Sequence, residues 1–157
     1  MHMPTKLRNK TPAEKFDILD LLIAIFHLSG PKLISRSTGC QMIIDSRIGR
    51  ICNILKKLSE QKRFAVFFKN CRFYHYYRGQ NGDWYDNSVF TSLWSMEMSE
   101  LITEINIANR SSYILLKKLH FQGEIILKAL TANDRRRLRN LSQEFIKLLK
   151  EGETDYE

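Results

Sequence analysis

The stretch from Leu33 to Tyr77 constrains the fold most, because its apolar periodicity switches from helical to alternating within a short span. Lys32 to Cys40 reads as a short helix closed by Gly39, and Gln41 to Asp45 as a turn. Ser46 to about Lys62 reads as a second helix, with Asp45 placed to cap it. Ile48, Ile51, Cys52, Leu55 and Leu58 form its buried stripe, which leaves Ser46, Arg47, Gly49, Arg50 and Asn53 on the remaining surface. Gly49 costs about 1 kcal/mol against Ala inside a helix, so a close approach to a phosphate or a neighbouring helix is the expected compensation. Two runs dense in β-formers follow, Phe64 to Lys69 and Arg72 to Tyr77, joined by Asn70-Cys71.

Charge follows the same division. Residues 1–80 carry 15 Lys+Arg against 5 Asp+Glu, whereas residues 81–157 carry 10 against 12. The net charge of +8 is therefore concentrated in the half that holds the two helices and the hairpin, which points to a polyanionic partner for that half. At 157 residues, 43% hydrophobic and 27% charged, the chain is long enough to bury a core without metals or disulfides. Cys40, Cys52 and Cys71 are an odd set, expected as free thiols in a reducing cytoplasm. The longest apolar run, Ile18 to Leu28, contains Asp20 and His27 and is too short and too charged for a membrane span. The start of the chain has no long apolar signal region, and no membrane partner is expected.

Ile34-Ser35-Arg36-Ser37-Thr38-Gly39-Cys40 resembles the I-A-x-x-T-G-L segment of bacterial winged helix-turn-helix regulators. Ser46 to Leu55 is similar to their s-t-V-s-R-l-l-x-x-L recognition-helix pattern, with Arg50 at the usual arginine. The resemblance implies a mostly α fold with a small β-hairpin, a winged helix-turn-helix followed by C-terminal helices. It implies a recognition helix over 46–62 and a wing over 64–77. A helix fits the major groove of duplex DNA, where Arg reads guanine and Asn can read adenine. Arg47, Arg50 and Asn53, with Ser46 beside them, are the expected base-reading group. Arg36, Lys69 and Arg72 are the expected phosphate contacts. The aromatic residues of the wing are expected to pack it, or to stack single-stranded bases through Tyr74, Tyr76 and Tyr77.

Elsewhere the pattern is helical. Residues 1–10 read as a flexible basic arm. Thr11-Pro12-Ala13-Glu14 starts a first core helix that runs to Gly30-Pro31, with His27 favouring its end. Residues 11–78 form the expected DNA-binding domain, with a boundary at Gly79-Gln80-Asn81-Gly82-Asp83. Residues 84–150 form a helical dimerisation or partner-binding region, and 151–157 a loose acidic tail. Trp84, Tyr85, Phe90 and Trp94 either anchor this second half or line a small pocket, with packing preferred. Helices are expected over Ser88–Ile107 and Ser111–Leu130, with Gly123 a kink, and from a Thr131 cap to Lys150. Leu130-Thr131-Ala132-Asn133-Asp134, leading to Leu138 and Leu141, resembles the closing helix of the multiple-antibiotic-resistance (MarR-like) regulators. That likeness implies a homodimer through the C-terminal helices and carries over no ligand chemistry. Arg135, Arg136, Arg137 and Arg139 at the start of this helix are either solvated or a second phosphate contact.

No phosphate cradle, nucleophile elbow or metal-protease signature is present, so no catalytic residue, cofactor or metal is expected and the chain is not read as an enzyme. The principal expectation is a cytoplasmic, dimeric, sequence-specific DNA-binding transcription regulator. A protein-interaction adaptor on a winged-helix scaffold is the alternative. In that case the acidic stretch Glu97–Glu104 and the aromatic cluster become the working surface. The two readings separate on whether Arg47, Arg50 and Lys69 share one exposed positive face.

Overall fold

The computed structural model describes residues 16–75, 82–153 and 155–156. The chain is mostly helical with a small antiparallel sheet. Its centre is helix α1, Ile18–Ser29, started by Asp17, whose side chain accepts from the Asp20 amide at 2.8 Å. Ile18 and every residue from Leu21 to Phe26 are buried, so α1 is apolar on all sides and must be wrapped by other helices. It ends in a 3-10 turn, Gly30–Lys32, where Pro31 cannot continue the hydrogen-bond ladder. The helix start expected at Thr11-Pro12 and the basic arm lie outside the described residues.

No second short helix forms after this turn. Ile34 and Gln41 bridge across a tight loop closed by Gly39, whose φ of +71° suits glycine. Ser35 is fully buried and its hydroxyl bonds to Ser37 and Asp155, a local competition that draws backbone away from helix. Strand β1, Met42–Ile43, follows, and helix α2, Ile48–Ser59, begins three residues later than Asp45. Asp45 does not cap α2: it sits at φ +57° and its carboxylate is held by Arg47. Of the expected stripe of α2, Ile51, Cys52, Leu55 and Leu58 are buried, Ile48 is half-buried, and Ile54 is buried in addition.

The run expected as the first wing strand is a 3-10 helix, Lys62–Phe68. Its apolar residues fall three apart, so Phe64 and Phe67 lie on one side and both are buried; Phe67 packs on the Phe16 ring at 6.2 Å. The residues expected as the second wing strand pair elsewhere. Strand β2, Tyr74–His75, runs antiparallel to β3, Trp84–Tyr85. Tyr76 and Tyr77 lie outside the described residues.

Helix α3, Asn87–Met98, is capped by buried Asp86, which accepts from the Val89 amide at 3.0 Å. The long helix expected over 88–107 stops at Met98, and Glu100 turns the chain at φ +62°. Ile102, Thr103, Ile105 and Ile107 are β-branched and favour the strand that forms, β4, Ile102–Ile107. Ala108 and Asn109, both at positive φ, make a two-residue hairpin turn into β5, Arg110–Leu115. The helix expected from Ser111 is therefore half strand, and only α4, Lys117–Lys128, is helical. The sheet order is β1-β5-β4, all antiparallel, with Met42 opposite Ile114 and Glu104 opposite Tyr113.

Helix α5, Ala132–Lys150, begins at the expected Thr131 cap, and Leu138, Leu141, Phe145 and Leu149 are buried. Helices α3, α4 and α5 all pack on α1. Gly123 of α4 is no kink: α4 is continuous, and a side chain there would strike the His27 ring of α1. His27 reaches Glu124 at 2.6 Å and His120 at 2.8 Å, and His120 reaches Gln41 at 2.6 Å. The tail is not loose where it is described. Glu153 pairs with Arg110, and Tyr156 is buried with its hydroxyl between the Met42 carbonyl and the Ile44 amide.

Candidate docking face

Of the residues expected to bind DNA, Arg47, Arg50 and Asn53 line one hollow at the start of α2, together with Gly49 and Asp83. The structure brings these three together and then spends them. Arg50 donates to the carbonyls of Ile44 at 2.6 Å, Asp45 at 3.2 Å and Leu149 at 2.6 Å, tying α2 to the end of α5. Asn53 donates to Asp83 at 2.9 Å and accepts the Trp84 amide at 2.7 Å, which holds β3 against α2. Arg47 forms a two-bond pair with Asp45 at 2.6 and 2.7 Å, and that guanidinium holds the Asp45 carboxyl below its usual range. The compensation for Gly49 is neither phosphate nor helix. The Asp83 carboxylate comes so near that a Cβ would lie 2.6 Å from its oxygen.

Ser46 is buried, its amide bonded to the Ser111 carbonyl at 2.7 Å, and it lies at the floor of a different groove, with Ser111 and Tyr113. Arg36, Lys69 and Arg72 are exposed but line no part of the hollow, and the Arg72 amide is given to Asp86 at 2.6 Å. Lys69 lines no part of the hollow that holds Arg47 and Arg50, and the Arg50 guanidinium is turned to backbone carbonyls. Two carboxylates, Asp45 and Asp83, stand beside the two arginines of the hollow.

The unspent surface is on α3. Phe90, Trp94 and Met98 are 51%, 57% and 67% exposed, and their four-residue spacing puts them on one stripe. The helix contains neither Lys nor Arg. Beside this stripe a groove of about 340 Å³ runs between α3 and the β4–β5 hairpin. Phe90, Leu93 and Trp94 form one wall and Tyr113 the other, with Glu97 and Glu104 entering from opposite sides. Burial, and then the Glu104 charge, push the Glu97 carboxyl above its usual range. Among the described residues neither side-chain carboxylate has an ion-pair or hydrogen-bond partner. The expectation that Trp84 and Trp94 share one cluster is divided. Trp84 lies under the Lys56 ammonium at 4.5 Å, while Trp94 faces solvent. The recurrence of Phe90, Trp94 and Met98 was visible in the sequence. Asp83 gave no local signal, because its partners are Gly49 and Asn53.

Burial pushes the thiols of Cys52 and Cys71 up to about 12, which makes them poor nucleophiles. Among the described residues no His, Cys, Asp and Glu side chains cluster in a group of three or more able to hold a metal ion, and no helix is long and apolar enough to cross a membrane. No family model, curated protein or solved structure matches the chain.

Proposed function

We propose that this chain is a winged helix-turn-helix scaffold whose recognition surface docks a protein. The order α1, β1, α2, α3, β4, β5, with β1 joined to β5 and β4 outermost, supports that fold. In this frame α3 occupies the recognition position and β4–β5 is the wing, in place of 46–62 and 64–77. Residues 60–86 are an insertion between the second and third helices.

The observation that carries the docking role is the exposed stripe Phe90, Trp94 and Met98 on a helix without a cation. Nucleic-acid affinity comes chiefly from Lys and Arg against phosphate, and here the recognition helix and its wing bring Glu97 and Glu104 into the groove, against the single cation Arg47, which is paired with Asp45. An exposed aromatic and apolar stripe rimmed by polar groups marks a protein contact. The test uses the full chain and a Phe90→Ser/Trp94→Ser variant, each immobilised in an extract of the source cells. A partner retained in stoichiometric amount by the parent, absent from the variant, and bound again after purification is the expected result. Equal retention by both proteins sinks the reading.

A second reading keeps nucleic acid but moves it. Arg136, Asn140, Gln143 and Lys147 form one exposed stripe of α5, and adjacent Glu144 is already paired with Arg63 at 3.1 Å. A steep loss of duplex affinity with salt, removed by Arg136→Ala/Lys147→Ala and not by Arg47→Ala, is its signature. For the homodimer, Phe121 and Ile125 of α4, both more than half exposed, offer the apolar contact. Sedimentation of Phe121→Ser against the parent tests it.

A further inference from the structure

We infer that the groove between α3 and the β4–β5 hairpin receives an arginine or lysine side chain, carried between apolar residues on a partner polypeptide. The inference rests on the docking role of α3 and names the chemistry of what docks. Glu97 comes from the helix and Glu104 from the outer strand, and Glu104 stands directly across from Tyr113 in the hairpin. Two carboxylates thus face one partly apolar space, and neither is ion-paired among the described residues. Arg47 also lines the groove, with its Nε and Nη2 bonded to Asp45 and no ion pair to either glutamate. A cation entering the groove gains both carboxylates and the faces of the aromatic wall, Trp94 foremost. The exposed stripe then takes the apolar neighbours of that cation.

Other occupants fit less well. Phosphate groups are repelled by the two glutamates. A divalent cation held by the protein alone wants a third protein ligand, and among the described residues no group of three or more His, Cys, Asp and Glu side chains could hold one. A small organic cation would use the groove but not the stripe, which extends two helical turns from Phe90 to Met98. A polypeptide uses both, and it also meets β4, whose outer edge has no backbone partner among the described residues.

The test pans a random dodecapeptide phage library on the full chain. The strongest peptide is then made with a fluorophore and titrated by anisotropy. The titration covers the parent, Glu97→Gln/Glu104→Gln and Trp94→Ser, with circular dichroism and melting as the folding control. Glutamine keeps the shape of glutamate, and each single Glu→Gln variant stands in if the double variant fails to fold. The expected peptides carry Arg or Lys beside a large apolar residue. Their affinity should fall about tenfold or more in the Glu→Gln variant and in Trp94→Ser. Enriched peptides that lack a cation, or that ignore the Glu→Gln change yet need Trp94, overturn the basic occupant and leave the docking face standing. No enrichment, or binding indifferent to all variants, overturns both.

Discussion

Helices α2 and α3 are both twelve residues long, and both present polar or aromatic groups that invite a partner, yet they use those groups in opposite ways. On α2 Arg50 is consumed by three carbonyls and Asn53 by Asp83 and Trp84, and Arg47, just before the helix, is paired with Asp45. On α3 only Phe90 of the exposed stripe has a ring neighbour, Tyr85 at 6.4 Å, and Phe90, Trp94 and Met98 all stay more than half exposed. A residue type states what a side chain can do. Only the fold states whether it has already done it. Arginine serves as well for fastening carbonyls at a helix end as for reading guanine, since its five donors suit both.

The contrast predicts a graded set of outcomes. The largest is Arg50→Ala, which leaves the carbonyls of Ile44, Asp45 and Leu149 without that donor and is expected to cost about 3 kcal/mol by urea unfolding. A loss near zero would return Arg50 to the pool of side chains free to bind a ligand. Asn53→Ala should cost about 1–2 kcal/mol through the lost Asp83 and Trp84 bonds, and should quench or shift the Trp84 emission. Trp84 unmoved in that variant would mean that the strand is held by something else.

A further effect comes from the histidine chain linking α1 and α4. Burial first, and the neighbouring His27 second, hold the His120 imidazole below the usual histidine range, with Glu124 opposing. The folded protein therefore takes up this proton less readily than the unfolded chain. The stability from neutral His120 is complete above the reference value of 6.5 and is lost as pH falls from there through the lower folded value. Glu124 is depressed mainly by its hydrogen bond from His27, so its contribution persists to lower pH and fades below its own reference value of 4.5. Asp20, raised to about 6 by burial and then by Asp17, gains stability as pH falls through the same window, so urea midpoints between pH 7.5 and 5 should fall in the parent relative to His120→Gln. Parallel curves would show that the imidazole is not the titrating group.

The smallest stability change belongs to Trp94→Ser, which should lie within about 0.5 kcal/mol because the ring is mostly outside the core. A large loss there would show that the stripe supports the fold, and the contrast with α2 would close.

What the sequence made legible was what is local. The Thr131 cap and the stripe of α5 depend on residues three and four apart, and both appear where the pattern places them. The buried stripe of α2 is legible for the same reason. The apolar runs Phe64 to Phe68 and Ile102 to Ile107 take the geometry opposite to the one their patterns suggest, because short apolar runs fit strand and helix alike and tertiary contacts choose. The fate of Arg50 was out of reach for a different reason: one of its acceptors, Leu149, is 99 residues away. Gly49 signalled a close approach, but a carboxylate from the chain itself makes it.

The buried Tyr156 gives β1 a property that belongs to synthesis more than to the finished fold. Its hydroxyl fastens Met42 and Ile44, and its backbone bridges Ser35, more than a hundred residues upstream. A chain emerging from the ribosome exposes Met42, Ile43 and Ile44, all fully buried in the native protein, long before the residue that seals that margin has been made. Nascent chains halted before Tyr156 should therefore engage holding chaperones along this segment, and carboxyl-terminal truncation should lower soluble yield more than the few missing contacts would suggest.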